Sequence, residues 1–581
     1  MQQNATSLRI AYICLALHLY LTSTAAALGG DSLYYIAGGQ QINLAVNDSL
    51  VVATDPQGRS HAEVVSALQA EGFEGYTDTA PIRFGTRHIF SWAPTGPSQG
   101  DPPPDLTQLV NDYVATPEND LYLSPVLTID DPQVMETGAA MIIEPRIQVR
   151  FMDGTAPDLP AMVFASIPGQ IDTAGWLNDP NIYIYEVDTK SALDVLSYAN
   201  ILAENEDVDW ANPHFLIDGE PSEGGACSPV TLDPAPGANP NLDESWNLPM
   251  IGAENAWAQC GGLPKDGGDP NVVVVIHDDG IDPLHPDINQ LPGYNFAPYD
   301  GCDHNCAEPG GQPRDECDNH GTVVAGFAGG VINNNLGSTG IAPGVQVISL
   351  RTFYYGIEGC NAYYPGFGVD IGVICEALSF VGNDLREIYA DDLGPDTRIV
   401  SNMSWNWTSS GIECMRFQIG FNRAAGMLTT ASVGNSKGGF VNPPVRYPAT
   451  IPDVLAVFAT DETDGIPDFS RYDEHAEIGA PGDNVFSTDR LGSQGYFPGD
   501  YAPGICGTSY AAPTVAGAAA LILSEDPSLS VDEVEARLCR TADPIPEDVY
   551  GCGRLNVGQS LAELFLDGFE SGDLSRWSDT N

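Results

Sequence analysis

The run Val272-Val273-Val274-Val275-Ile276 limits the fold more than any other feature of the chain. Five consecutive β-branched apolar residues suit a strand buried on both faces, the condition of a parallel sheet covered by helices. Similar runs follow at 345–350, 397–403 and 454–459, so strands are predicted there and at 271–276. Helical patterns lie between and after them at 322–328, 371–381, 415–425 and 514–523. This alternation predicts an α/β domain: a doubly wound, mainly parallel sheet with helices on both faces. Functional residues are then expected at strand ends and in the loops beyond them.

Upstream the chain reads differently. Residues 97–105 are Pro-rich, and 219–242 are rich in Gly and Pro with little apolar periodicity, as in a linker. Before that linker, 181–187 alternates like a strand, 191–204 is helical, and 207–213 follows as a further element. An earlier piece, 106–129, has the same rhythm, with Pro117-Glu118-Asn119-Asp120 answering Glu204-Asn205-Glu206-Asp207. A duplicated small α+β module is one reading of that likeness. Gly96-Pro97-Ser98-Gln99-Gly100 fits the nucleophile elbow of esterases, but no strand precedes it and no helix follows, so it is set aside.

Arg9, the apolar stretch 10–21 and Thr24-Ala25-Ala26-Ala27 have the layout of a secretory signal peptide, here 1–27. The apolar stretch is shorter than the ~20 residues that span a bilayer. A secreted, extracellular protein with no membrane span is expected. Of the 12 cysteines, Cys14 would leave with the signal and Cys227 stands apart in a loop. The ten that remain are an even count, which in an exported chain indicates disulfides whose pairing stays open. A metal site around Cys302, His304, Cys306 and Cys317 is the alternative, but no second pair follows at zinc-ribbon spacing. With 79 acidic against 22 basic residues the net charge is −57. Nucleic acid and anionic membranes need clustered Lys and Arg, so neither is expected as a partner.

Three segments carry chemistry only in combination. The apolar strand runs into His277-Asp278-Asp279-Gly280-Ile281-Asp282, which alone could be a turn or a metal-binding cluster. Asp318-Asn319-His320-Gly321-Thr322 places a histidine before small and β-branched residues that open a helix. Gly507-Thr508-Ser509-Tyr510-Ala511-Ala512-Pro513 presents a serine at a helix start, where dipole and amides favour developing negative charge. A serine hydroxyl needs a base to take its proton, and an imidazole needs a carboxylate to fix its tautomer.

Together these segments resemble the subtilisin-like serine peptidases, whose order along the chain is Asp, His, Ser. The resemblance covers roughly 240–560 and implies Asp278 as orienting carboxylate, His320 as general base and Ser509 as nucleophile. Asn435, in Ala431-Ser432-Val433-Gly434-Asn435-Ser436, aligns with the family's oxyanion-hole asparagine. Ser404-Trp405-Asn406 aligns with the substrate-binding segment, although Asn406 replaces a glycine there. The segment around Gly366 and Gly368 would face it across an extended peptide. Asp-Asp-Gly resembles the kexin branch, yet no acidic residue follows Trp405 as that branch requires, so dibasic cleavage is unsupported.

The resemblance also implies structural calcium, with Asp287 and Asn334 as side-chain ligands and Ile332, Leu336 and Ser338 in the surrounding loop. Residues 182–215 resemble the end of a subtilisin propeptide, an α+β ferredoxin-like domain that assists folding and then inhibits its enzyme. The expected layout is a pro-region at 28–225, a linker at 226–242, a catalytic domain at 243–560 and a tail at 561–581. That tail, through 566–573, resembles a short ending found on exported bacterial proteins. The expected activity is a serine endopeptidase acting on proteins or peptides and restrained by its own propeptide. A catalytically silent peptide-binding protein on the same fold and an exported esterase are the alternatives.

Overall fold

The computed structural model describes residues 33–562, apart from 93–104, 130–140, 222–244, 260–266, 298–306, 353–368, 408–412, 437–443 and several shorter breaks. Short loop pieces aside, the chain forms two units, one ending at Asp218 and one beginning at Gly219.

The first unit is built twice over. Its first half runs β1 (Gln40–Thr54), α1 (His61–Ala70), β2 (Tyr76–Thr77), β3 (Arg87–Trp92), α2 (Leu106–Ala115) and β4 (Tyr122–Ile129). Antiparallel pairing sets the order β4-β1-β3-β2. The second half runs β5 (Met141–Phe151), α3 (Leu159–Phe164), β6 (Gly169–Ala174), β7 (Ile182–Val187), α4 (Ala192–Ala203) and β8 (Val208–Ile217). Its order is β8-β5-β7-β6, the same permutation. The stretches 106–129 and 191–213 are therefore corresponding helix-to-strand pieces of two copies, and the acidic tetrapeptides are the turns within them. Leu106, Val110 and Tyr113 are buried at helical spacing on α2, and Asp105 caps it by accepting from Gln108 N. Ser191 does the same for α4 by accepting from Leu193 N.

The second unit contains β9 (Val272–Asp278), β10 (Gln290–Asn295), α5 (His320–Gly329), β11 (Gln346–Arg351), α6 (Ile371–Asn383), β12 (Arg398–Met403) and α7 (Glu413–Ala424). After these come β13 (Leu428–Ser432), β14 (Leu455–Thr460), β15 (Ile478–Pro481), α8 (Thr508–Glu525) and α9 (Val531–Arg540). Seven strands pair in parallel in the order β10-β11-β9-β12-β13-β14-β15. The period of two sends Val272, Val274 and Ile276 into a core with α5, α8 and α9, while Val273 and Val275 pack with Val373, Ala377 and Phe380 of α6. β9 lies centrally, where the chain switches from building one side of the sheet to building the other. The carboxyl end of such a strand opens into a crevice, and that end is Asp278.

Two helices begin earlier than their apolar patterns indicate. α5 starts at His320, not at residue 322, and α8 starts at Thr508, not at 514. The serine motif already placed a helix start at Ser509, but Pro513 delays the apolar pattern of α8, because proline inside a helix normally breaks it. Here the main-chain donor that Pro513 lacks would have bonded Ser509 O, and Ser404 Oγ donates to that oxygen instead, at 2.7 Å. β10 and β15 were not anticipated: β10 is a half-exposed edge-side strand containing Pro and Gly, and β15 has only four residues.

Candidate active site

Asp278 ends β9 and is fully buried. Both of its carboxylate oxygens lie 3.0 Å from Nδ1 of His320, which holds the ring's proton on that nitrogen. Asp279 has a different task. Its Oδ2 accepts from His320 N at 2.9 Å and its Oδ1 from Gly321 N at 2.7 Å, so it caps α5 from another segment. Gly321 is required by this closeness, since a Cβ there would stand 2.4 Å from Gly280 O. Burial, with Asp278 and Asp318 nearby, pushes the Asp279 carboxyl well above the usual range. Asp318 in turn accepts from Arg351 Nη2 at 2.8 Å and Nε at 3.1 Å, a buried pair beneath the same loop.

Ser509 lies in the first turn of α8, and its Oγ donates to Ser404 O at 2.7 Å. Ser404 Oγ is itself fixed by Asn402 Nδ2 at 2.9 Å. The serine hydroxyl is thus engaged by a main-chain oxygen in this structure. Asn435 offers Oδ1 to Thr508 N at 3.1 Å and to Thr508 Oγ1 at 3.0 Å, while its Nδ2 is buried with no partner. An unused amide donor beside a helix N-terminus is the arrangement that stabilises an oxyanion.

Decisive support comes from known proteins. Subtilisin Savinase of Lederbergia lenta is 31% identical over 289 residues, which is 49% of this chain and 89% of that protein. The chain belongs to the subtilase family. The subtilase family profile matches residues 269–553, and subtilisin DY of Bacillus licheniformis is 31% identical over 313 residues, 96% of its length. Fervidolysin of Fervidobacterium pennivorans shares the fold, with a TM-score of 0.54 at 21% identity over 74% of this chain and 62% of that one. This subtilase is a serine-type endopeptidase.

The remaining expected site residues divide. Ser404, Trp405 and Asn406 are together and buried, with the Trp405 ring stacked on Trp407 at 5.0 Å and its indole donating to His277 O at 2.7 Å. The short strand Glu220–Pro221 pairs antiparallel with Trp405–Asn406. Gly366 and Gly368 lie outside the described residues, as do Ser338 and residues 96–100. Asp287 is buried, accepts from Asn334 Nδ2 at 2.6 Å, and has its carboxyl pushed up to about 7 by burial. A bound cation would relieve such a carboxylate, so this part of the donor set fits calcium. Ile332 and Leu336 flank Asn334, whose Oδ1 accepts from Leu336 N at 3.0 Å.

Disulfides join Cys375 to Cys414 and Cys539 to Cys552. Cys317 is also disulfide-bonded, which removes one ligand of the zinc alternative. Among the described residues no helix is long and apolar enough to cross a membrane.

Several residues that hold the candidate site in place had no reading in the sequence. Thr508 sits inside the serine motif but is only seen to orient Asn435 once the two segments meet. Arg351, Arg446 and Arg471 are isolated arginines without a motif, so nothing local marks them.

Proposed function

We propose that this subtilase is a secreted zymogen whose mature form cuts peptide bonds through an Asp278-His320-Ser509 triad and an acyl-enzyme. The observation that carries the reading is the 3.0 Å approach of Asp278 to His320 Nδ1, in a fold that brings Ser509 and the unpartnered Asn435 amide to the same strand ends. His320 Nε2 takes the Ser509 proton as Oγ attacks the carbonyl carbon. The oxyanion is received by Asn435 Nδ2 and Ser509 N. His320 then protonates the leaving amine, and water repeats the sequence in reverse roles to release the acyl group.

The sheet is of the doubly wound kind, and residues 243–560 form the catalytic domain, followed by a tail at 561–581. Residues 1–27 are the export signal and 28–225 the pro-region, made of two ferredoxin-like copies, with 226–242 as linker. Pairing of Glu220–Pro221 along Trp405–Asn406 is how a peptide would add to the substrate strand, which supports the pro-region as inhibitor. Gly366 and Gly368 would border the other side of that peptide. Structural calcium would be held by Asp287, with Asn334 and the loop of Ile332, Leu336 and Ser338 contributing oxygens. Its charge would neutralise a buried carboxylate.

Casein hydrolysis by the purified processed chain, lost in His320→Ala, is the expected result. Cleavage of acyl esters with none of casein would contradict it.

A further inference from the structure

The short strand Glu220–Pro221 meets the substrate segment in a fixed register. It runs antiparallel, with Glu220 opposite Asn406 and Pro221 opposite Trp405. In an antiparallel pair, one residue forward on one strand is one residue back on the other. The described strand ends at Pro221, and Ser222 comes next in the sequence. A chain that kept this register for one more step would set residue 222 opposite Ser404. Ser404 O is the atom to which the Ser509 hydroxyl donates, at 2.7 Å. The carbonyl of residue 222 would thereby reach the nucleophile, while each residue before it lies about 3.3 Å farther back along the strand.

The chain's own residues limit the side chain that fits at that position. A residue opposite Ser404 whose carbonyl reaches Asn435 would turn its side chain toward the seam between 404–406 and 433–435. That seam is closely packed: a Cβ on Gly434 would stand 2.9 Å from Arg471 Cδ and 3.0 Å from Asn406 Oδ1. Asn406 is held in place there, its Oδ1 accepting from Arg446 Nη1 at 3.0 Å, and Arg471 Nε donates to Asn435 O at 3.0 Å. A glycine at 406 would leave the seam wider. Serine or alanine would fit beside it, whereas an aromatic or long aliphatic side chain would have to displace packed atoms. Register and packing agree on a small residue.

We infer that the chain matures by cutting itself between Ser222 and Glu223, and that its site takes a small residue on the acyl side of the bond. The inference rests on Ser509 as nucleophile and Asn435 as oxyanion donor. Ser509 Oγ bonds to the carbonyl carbon of Ser222 as His320 takes its proton. The bond to Glu223 N breaks, and His320 gives that proton to the freed amine. Water then releases the Ser222 carboxylate and restores the Ser509 hydroxyl.

The test uses the full chain, with products sampled at the earliest times and identified by N-terminal sequencing and intact mass. The expected first products are a pro-region ending at Ser222 and a catalytic chain beginning at Glu223, with no cut in Ser509→Ala. Ser222→Ala keeps the volume small and should process within about threefold of the wild-type rate, whereas Ser222→Phe should slow processing about tenfold or more. Casein hydrolysis by each product reports that its site is sound. A casein-active chain whose first cut lies at another bond overturns the inference alone. Processing of Ser222→Phe at the same bond and at the wild-type rate overturns it too. The same cut in Ser509→Ala would belong to another protease and would also overturn it. A chain neither cut nor active on casein overturns the reading of Ser509 and this inference together.

Discussion

Thr508 grips Asn435 by the side-chain oxygen, donating from its main-chain N at 3.1 Å and its hydroxyl at 3.0 Å. With both donors on Oδ1, the amide cannot flip without losing them, so Nδ2 stays directed away from Thr508. In the proposed mechanism the neighbour of Ser509 thereby preorganises the oxyanion donor. Asn435→Ala should lower kcat by about 10²–10³-fold with little change in KM, a magnitude taken from the same change in subtilisin. Thr508→Val keeps one of the two bonds and should cost less, about 3–10-fold in kcat. Steady-state kinetics on one peptide substrate checks both.

Asp279 anchors the main chain of His320 and Gly321, whereas Asp278 addresses the ring. Asp279→Ala leaves two helix-start amides without their acceptor, and His320 loses its fixed origin. An expected fall in kcat of about 10-fold or more, with KM nearly constant, follows from misplacing a general base. Asp279→Asn retains an oxygen acceptor and should recover part of the loss.

His277 gives the protein an acid-sensitive core. Neither ring nitrogen has a partner, and burial pushes its pKa down to about 3 from 6.5. The folded state resists the proton that the unfolded state accepts. Stability is therefore complete above pH 6.5 and falls as pH drops toward 3, by on the order of several kcal/mol. His277→Leu should move the midpoint of acid unfolding to lower pH, followed by circular dichroism. An unmoved midpoint would show that other groups set the acid limit.

The disulfide between Cys375 and Cys414 closes a loop of separation 39 and fastens α6 to α7. Its loss through Cys375→Ala and Cys414→Ala together should cost about 3–4 kcal/mol in denaturant unfolding. Calcium should raise Tm in the wild type and do so weakly in Asp287→Asn, read by scanning calorimetry with and without chelator.

Much of the fold and site was legible in the sequence, and the reasons differ by residue. Val272 to Ile276 could be placed in a buried parallel strand because both of its faces are covered, so no alternation dilutes the signal. Asp278, His320 and Ser509 could be singled out as candidates because each stands in a short local motif at an element's end. The doubled first unit was visible only in its last helix-to-strand turns, since the first copy carries few apolar alternations outside β1. The apolar pattern of α8 began late, at 514, because of Pro513, whose cost is offset by the Ser404 side chain, although the serine motif already placed a helix start at Ser509. Arg446 and Arg471 were illegible for a related reason: their meaning lies in what Asn406 and Asn435 bring to them across the sheet.

The central claim is that Ser509 is a nucleophile activated in this fold, and a fluorophosphonate probe addresses it directly. Incubating the processed enzyme with the probe and mapping the adduct by mass spectrometry should give one label, on Ser509, and none in Ser509→Ala. A wild-type protein that stays unlabelled, or a label that persists in Ser509→Ala, would contradict the account.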